Sequence, residues 1–436
     1  MITHKVMLGA STGGASNFVA NIQPDPVIRI EAKSAVLSAD LSVAYIQTKQ
    51  SSDIDVAGML AMDTLTGEHL WNKSLDYATA NHRDDGGKTA IDSSGNIITN
   101  FKFQQTVSPY ALKMLIWKLN SSGTEQWQKE LTTASNYIGA MVCDASDNIY
   151  VSSLRNISGN ATVFTKLNSS GAHQYSKYIS NSGTSSMAYD GDTDSIHLVN
   201  HQNGGDYETR HLKIDPAGTT DWVDAYTEVS GADIDVAHLN INGSVYLISG
   251  RVNAASVYIA WWMVMNKATG TISNEGTITH DSLSLHVDTG CLDADGNIYL
   301  VLRSGGADRF IVKLNSSGTL QWATRLEFKS VIGTVIGVIA HDGDTGQLVI
   351  AGAGNCTVNY ASFQLPLVGR LADDGSGLGS YTYWDYTDAT SEFTAASRSS
   401  GAGTNPGWVA TTTSFATSSK LSPTDLTYTE YSEDLT

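Results

Sequence analysis

Short runs in which apolar and polar residues alternate recur along almost the whole chain. Asn148-Ile-Tyr-Val-Ser-Ser-Leu154 is a typical one. A period of two sends successive side chains to opposite faces of an extended backbone, so each such run predicts a half-buried β-strand. No stretch carries a convincing 3.6-residue period, so no long helix is expected. Clusters of Asn, Asp, Ser and Gly separate the runs. These residues supply the left-handed backbone positions that tight hairpins need.

The runs are organised as a repeat with two parts. The first is a polar turn leading into a strand: Asp92-Ser-Ser-Gly-Asn-Ile-Ile, Asp144-Ala-Ser-Asp-Asn-Ile-Tyr-Val and Asp293-Ala-Asp-Gly-Asn-Ile-Tyr-Leu, with looser copies at Asp190, Asn240 and Asp342. The second is a strand, a glycine turn and an aromatic: Trp117-Lys-Leu-Asn-Ser-Ser-Gly-Thr-Glu-Gln-Trp127, Thr165-Lys-Leu-Asn-Ser-Ser-Gly-Ala-His-Gln-Tyr175 and Val312-Lys-Leu-Asn-Ser-Ser-Gly-Thr-Leu-Gln-Trp322, with variants ending at Trp71 and Trp222. The turn glycines Gly67, Gly123, Gly171, Gly218, Gly270 and Gly318 are 56, 48, 47, 52 and 48 residues apart. Two hairpins in each unit of about fifty residues make four antiparallel strands, and such units pack radially as the blades of a β-propeller.

Six units are clear, although the fifth has Asn274 where others have an aromatic. A seventh is expected from Val335 to Tyr386, with an insertion around Cys356–Leu367 before a turn at Gly377. Phe393-Thr-Ala-Ala-Ser, Trp408-Val-Ala-Thr-Thr-Thr and Lys420-Leu-Ser-Pro echo the repeat once more but lack its last strand. Asn17-Phe-Val-Ala-Asn-Ile22 could supply that strand and remove an open sheet edge. The expectation is therefore eight blades, closed by residues 16–22 on the C-terminal blade. Seven blades with two terminal arms is the alternative. The implied layout is an arm at 1–15, a propeller at 16–421 and an acidic tail at 422–436.

Composition narrows what the fold can do. The chain has 436 residues, and 26 Lys and Arg against 44 Asp and Glu give a net charge of −18. Hydrophobic residues at 41% are enough for a core and exclude wholesale disorder. The acidic excess opposes nucleic acid and anionic lipid, both of which need Lys and Arg to replace counterions. No apolar run approaches the roughly 18 residues of a membrane helix. The N-terminal stretch lacks the apolar core of an export signal, so synthesis and folding in a cytoplasm are expected. Cys143, Cys291 and Cys356 make no ligand spacing, and buried free thiols are the expectation for the first two.

The paired motifs, Asp-x-x-Gly-Asn-Ile-Tyr-Val and Lys-Leu-Asn-Ser-Ser-Gly, resemble the propeller repeats of bacterial and phage proteins, and with the N-terminus they look like structural proteins of marine phages. Ala61-Met-Asp-Thr-Leu-Thr-Gly-Glu-His-Leu-Trp71 is similar to the tryptophan-docking motif of quinone-dependent dehydrogenase propellers. That similarity implies a blade-packing role for the repeat aromatics Trp71, Trp127, Tyr175, Trp222 and Trp322. It does not extend to a quinone cofactor, because the adjacent-cysteine disulfide of those enzymes has no counterpart here.

Other chemistry reduces to a few candidates. Gly9-Ala-Ser11-Thr-Gly13 has the spacing of a hydrolase nucleophile elbow but not its strand-to-helix setting. Asp190, Asp192 and Asp194 place three carboxylates on one turn and are the candidate calcium ligands, although an EF-hand order is missing. His197 and His201 are four apart, but not on a helix. Trp261-Trp262 and Tyr381-Thr-Tyr-Trp-Asp-Tyr386 concentrate aromatics that would suit a sugar if exposed. No catalytic residue and no organic cofactor is assigned.

The resemblance implies a non-enzymatic structural or host-recognition component of a bacteriophage virion: a tail fibre, tail-tip or appendage protein. It would be made in the host cytoplasm and be multimeric in its assembly. Its expected partners are other virion proteins and a host surface glycan or protein, with no nucleic acid and no membrane insertion. The alternative is an extracellular or periplasmic bacterial binding propeller that recognises glycan or protein.

Overall fold

The structure, a computed structural model, describes the chain apart from residues 1, 11–15, 24–28, 52–55, 76–81, 106–111, 133–134, 157–159, 181–182, 184–185, 202–207, 229–232, 255–256, 305–307, 329–334, 359–360, 381–383, 398–407, 412–423 and 426–436. Among the described residues the regular structure is strand, apart from one 3-10 turn at Thr390–Glu392.

β1 (Ile2–Ala10) and β2 (Ser16–Gln23) come first. Blade one is β3 (Arg29–Leu37), β4 (Val43–Ser51), β5 (Val56–Asp63) and β6 (His69–Leu75). Blade two is β7 (His82–Ile91), β8 (Ile97–Gln105), β9 (Leu112–Leu119) and β10 (Glu125–Thr132). Blade three is β11 (Ser135–Cys143), β12 (Ile149–Asn156), β13 (Asn160–Leu167) and β14 (His173–Ser180). Blade four is β15 (Ser186–Asp190), β16 (Ser195–His201), β17 (Glu208–Ile214) and β18 (Thr220–Glu228). Blade five is β19 (Asp233–Asn242), β20 (Val245–Ala254), β21 (Val257–Asn266) and β22 (Ile272–His280). Blade six is β23 (Leu285–Leu292), β24 (Ile298–Ser304), β25 (Arg309–Leu314) and β26 (Leu320–Phe328). Blade seven begins with β27 (Val335–Asp342), β28 (Gln347–Val358) and β29 (Ala361–Ala372), and β2 is its fourth strand. After it come β30 (Gly379–Ser380), β31 (Trp384–Asp388), β32 (Phe393–Ser397), β33 (Trp408–Thr411) and β34 (Thr424–Asp425). Neighbouring strands within the blades are antiparallel, and the architecture is an all-β propeller of four-stranded blades.

The turns count the blades. A positive φ lies in the first hairpin of each, at Leu41, Gly95, Asp147, Asp194, Gly243, Gly296 and Gly346. Another lies in the turn after the third strand of each, at Gly67, Gly123, Gly171, Gly218, Gly270, Gly318 and Gly375. The blade number is therefore seven, not the expected eight. Of the C-terminal segments, β30 pairs with β31, and β31 to β34 each join a blade. β31 lies on β26, β32 on β22, β33 on β18 and β34 on β14. Each adds a further strand to the fourth strand of a different blade, and the tail visits blades six, five, four and three in reverse order. The physical reason is local. The tail lacks the second glycine turn needed to fold back on itself, whereas each fourth strand offers an unpaired row of N–H and C=O groups.

The expected closure of an eighth blade by residues 16–22 is corrected for the same reason. β2 pairs instead with β29, with Phe18 opposite Arg370 and Asn21 opposite Leu367. β1, inside the stretch read as an arm, pairs with β2. Cys356–Leu367 is not an insertion either. Cys356 stands opposite Phe363, and Leu367 opposite Gly352, within the continuous β28–β29 hairpin.

The chain divides into two compact units. In the unit of Met1–Ser52, Met59–Asn72 and Ala237–Ala402, apolar layers fill the space between neighbouring blades. Leu37, Ile46 and Met62 of blade one pack with Val349 and Val368 of blade seven, and Tyr299 and Ile311 of blade six pack with Ile339 and Leu371 of blade seven. Leu247 and Trp262 of blade five meet Leu300 and Val312 of blade six. In the other unit, Ile98 and Ile116 meet Met141 and Val151, and Tyr150 and Phe164 meet Ile196 and Leu212. Alternation along each strand supplies one side chain to each of two such layers.

Candidate functional site

The repeated residues build a joint between blades. In the Asn-Ser-Ser-Gly turn, Asn120 Oδ1 accepts from the backbone N–H of Ser122 and Thr124, at 3.1 and 2.8 Å. Asn168 and Asn315 do the same in their turns. Three of the glycine turns receive the aromatic of the preceding blade. The ring of Trp127 lies against Gly171, that of Tyr175 against Gly218 and that of Trp322 against Gly375. The repeat lysine joins in. Lys166 Nζ and Tyr175 Oη both donate to the Pro216 carbonyl, at 2.9 and 3.3 Å, and Lys313 Nζ and Trp322 Nε1 both donate to that of Asp373, at 3.1 and 3.0 Å. Lys118 and Trp127 converge in the same way on Ser169. Blade five, which lacks the aromatic, substitutes Trp262 from its third strand. That ring covers Gly318, while Asn274 donates to Ser316 O at 2.9 Å. Trp71 is half-buried against Tyr45 of its own blade, with centroids 6.0 Å apart. Trp222 stands in β18 opposite Lys213.

The acidic turn is organised by its own hydrogen bonds. Asp190 is buried, and its carboxylate accepts from Asp192 N at 3.0 Å and Thr193 Oγ1 at 2.6 Å. Asp192 and Asp194 are exposed, and Asp194 accepts from Tyr189 Oη at 3.0 Å. Among the described residues, no three His, Cys, Asp or Glu side chains are grouped as metal ligands. Ser11, Tyr381 and Tyr383 lie outside the described residues. Trp261, Trp262 and Tyr386 are core residues, and Tyr386 Oη accepts from Thr324 Oγ1 at 3.1 Å. They leave no aromatic platform for a sugar at those positions. Cys143 and Cys291 are buried free thiols, and burial pushes both well above the ordinary thiol range.

Two clusters were not visible in the sequence. In blade four, His197 Nδ1 is 2.9 Å from His211 Nε2, and both rings are fully buried. Burial first, and His197 second, holds His211 well below the ordinary imidazole range. His201, four residues from His197, stands opposite Thr209, and the residue opposite His211 is Val199.

The second cluster lies where the β20–β21 hairpin of blade five meets the first strands of blade six. The Arg251 guanidinium stacks on the Tyr258 ring at 4.5 Å, and its Nη1 is 2.6 Å from His286 Nδ1. The rings of Tyr258 and His286 are 5.0 Å apart. His286 stands opposite Arg303, and Arg303 opposite Arg309, in one row across β23, β24 and β25. Asp288 sits among them, 2.7 Å from Arg303 Nε and 3.2 Å from Arg309 Nε. Burial raises the Asp288 carboxyl above its ordinary value against the pull of both arginines, and burial lowers Arg309 to about 10. No periodicity announces this group, because its members come from five strands of two blades.

No family model matches the chain, and no curated protein matches it in sequence. Solved structures do resemble it. Polysaccharide lyase Uly1 is 9% identical with a TM-score of 0.46, covering 79% of this chain and 90% of its own. The β-propeller domain of the Trilobed protease from Pyrococcus furiosus is 9% identical with a TM-score of 0.43, covering 77% and 97%. The endosialidase of phage phi92 is 9% identical with a TM-score of 0.44, covering 82% and 69%.

Proposed function

We propose that the chain is a non-enzymatic structural or host-recognition component of a bacteriophage particle, in a tail fibre, tail tip or other appendage. The observation that carries this reading is the use of the chain's own tail as edge cover. β31, β32, β33 and β34 lie on the fourth strands of four blades. Exposed fourth strands would template pairing between copies. A protein displayed at high density in an assembly has a specific need for that protection. The resemblance of the repeat motifs to those of bacterial and phage propellers, and the low charged fraction of 16%, add support. Such surfaces present Ser, Thr, Asn and Tyr to neighbours and to a cell-surface glycan or protein.

An extracellular bacterial binding propeller is the competing reading, and one experiment separates the two. Particles purified from an infected culture are analysed by mass spectrometry, and an antibody to the chain is used for gold labelling. Peptides at a stoichiometric level and label on the tail are the expected outcome. Intact particles without the protein, together with its recovery from the medium of uninfected cells, would replace the virion with the bacterial surface.

A further inference from the structure

Five of the seven blades carry a strand beyond their fourth: β1 on β2 in blade seven, and β31, β32, β33 and β34 on blades six, five, four and three. Among the described residues, blades one and two stop at four strands, which leaves β6 and β10 as outer edges.

The four tail strands share one register. Positions are counted along each fourth strand from the repeat aromatic, or from Asn274 in blade five. The second residue after it stands opposite a short polar residue: Lys177 opposite Asp425, Gly276 opposite Ser397 and Thr324 opposite Asp388. The third stands opposite Thr or Ala: Tyr178 opposite Thr424, Ala225 opposite Thr411, Thr277 opposite Ala396 and Arg325 opposite Thr387. The sixth stands opposite an aromatic: Glu228 opposite Trp408, His280 opposite Phe393 and Phe328 opposite Trp384. The stretches that connect the tail strands, 389–392, 398–407 and 412–423, differ in length. The edge, and not the spacing of the tail, therefore sets the register. What such an edge accepts is a strand that reads aromatic, two further residues, Thr or Ala, then Asp or Ser.

β10 presents the same kind of edge without a cover. Its second residue after Trp127 is Lys129, the counterpart of the Lys177 that stands opposite Asp425. Lys129 is half-buried, and its stem lies beside Gly171. Leu131 is fixed in the apolar layer between blades two and three, so the edge is in place before any partner arrives. A lysine on an edge discourages indiscriminate pairing but favours a strand with a carboxylate opposite it. A second copy has no described strand of this pattern to spare, because β31 to β34 are each paired within their own chain.

We propose that β10 is a docking edge for a strand donated by a different protein. The strand lies antiparallel, with an Asp or Glu opposite Lys129 and an aromatic four residues before that acid. Main-chain hydrogen bonds supply the hold, and the charge at Lys129 selects the register. The assignment rests on the reading of the chain as part of an assembly, and it names the surface that joins it to a neighbour.

The probe is a synthetic peptide with the sequence of residues 383–390, which contains Trp-Asp-Tyr-Thr-Asp. Hydrogen exchange of the full chain is followed with the peptide at about ten times its Kd. Exchange should slow about tenfold at the outward N–H groups of residues 129–132 and stay unchanged in β14, β18, β22 and β26. The same peptide N-methylated on its pairing side keeps its side chains and should give no protection. Lys129→Glu should weaken the peptide, and Asp388→Lys in the peptide should restore binding to that variant, which also shows that the variant is folded. No protection of β10, equal protection by the N-methylated peptide, or no rescue by the exchanged charges would overturn the docking edge. Binding that appears only after residues 426–436 are removed would give the edge to the chain's own tail. A dimer of the full chain that Lys129→Glu dissolves would give it to a second copy. Either result overturns the assignment to a different protein. None of these outcomes depends on whether the protein is found in a virion, so the two readings fail separately.

Discussion

At the level of single residues, the joint between blades depends on what surrounds a glycine as much as on its backbone. Gly95 and Gly171 have nearly the same φ, +77° and +81°. A Cβ on Gly95 would meet nothing within 4 Å, whereas one on Gly171 would lie 2.8 Å from Lys129 Cγ and 3.1 Å from the Trp127 ring. Gly95→Ala should therefore cost only the left-handed backbone term, about 1–2 kcal/mol. Gly171→Ala adds overpacking and should cost about 2–4 kcal/mol. Urea unfolding of the two variants measures the difference, and equal losses would mean that the aromatic contact has no energetic weight. The glycine and the aromatic were both legible in the sequence, since each recurs at a fixed spacing. Their partnership was not, because the ring of one blade meets the turn of the next, some fifty residues away. The substitution of Trp262 for a missing aromatic was hidden more deeply, since it comes from another strand of the blade.

At the level of elements, β32 pairs with β22 through the backbone, and side chains around it add to that hold. Phe393 in β32 packs edge-on against Phe310 and His280, at 5.0 Å from each. Glu392 accepts from Arg325 Nη2 at 2.5 Å and stands 2.9 Å from His280 Nε2. Phe393→Ala should cost about 3–5 kcal/mol as a buried aromatic deletion, and it should release β32 from β22. Hydrogen exchange would report this as faster exchange at the N–H groups of β22, while β20 and β21 keep their protection. Uniform acceleration across the blade would show that β32 is not a separable cover. The alternation in these tail strands was readable, and so was their likeness to blade strands. Their destination was not, since a strand's pattern says which face is buried but not which edge it joins. That gap turned a seven-bladed chain into an expected eight.

At the level of the whole molecule, pH acts in two stages. Unfolded, His211 titrates near 6.5, whereas burial keeps it neutral in the fold far below that value. Its contribution is complete above pH 6.5 and declines below it, as the unfolded chain takes a proton that the folded chain refuses. The slope approaches about 1.4 kcal/mol per pH unit for one such group. His211→Gln should flatten the loss of stability between pH 6.5 and 5, read as urea midpoints across that range. The second stage belongs to carboxylates. Burial opposes ionisation of Asp342, yet the hydrogen bonds from Arg370 and Thr345 outweigh it and hold the carboxyl below its ordinary 3.8. Arg370, whose Nη1 is 2.6 Å from Asp342, also donates to the Thr64 and Leu41 carbonyls of blade one, at 3.2 and 3.1 Å. Asp342 thus contributes stability above pH 3.8 that is lost as pH falls through its lower folded value.

The pairing of β2 with β29 has a consequence for birth order. Phe18 leaves the ribosome some 350 residues before its partner Arg370. Bringing two points some 350 residues apart together costs about 5 kcal/mol of chain entropy in an unstructured polymer. Blades formed in the meantime shorten that search by holding the intervening chain compact. Until they have formed, β1 and β2 travel as an orphan hairpin, exposed to proteases and to the β2 of any nascent neighbour on the same messenger. Slowing elongation between the codons of β2 and β29 should lengthen that exposure, whereas slowing it after β29 has emerged should not.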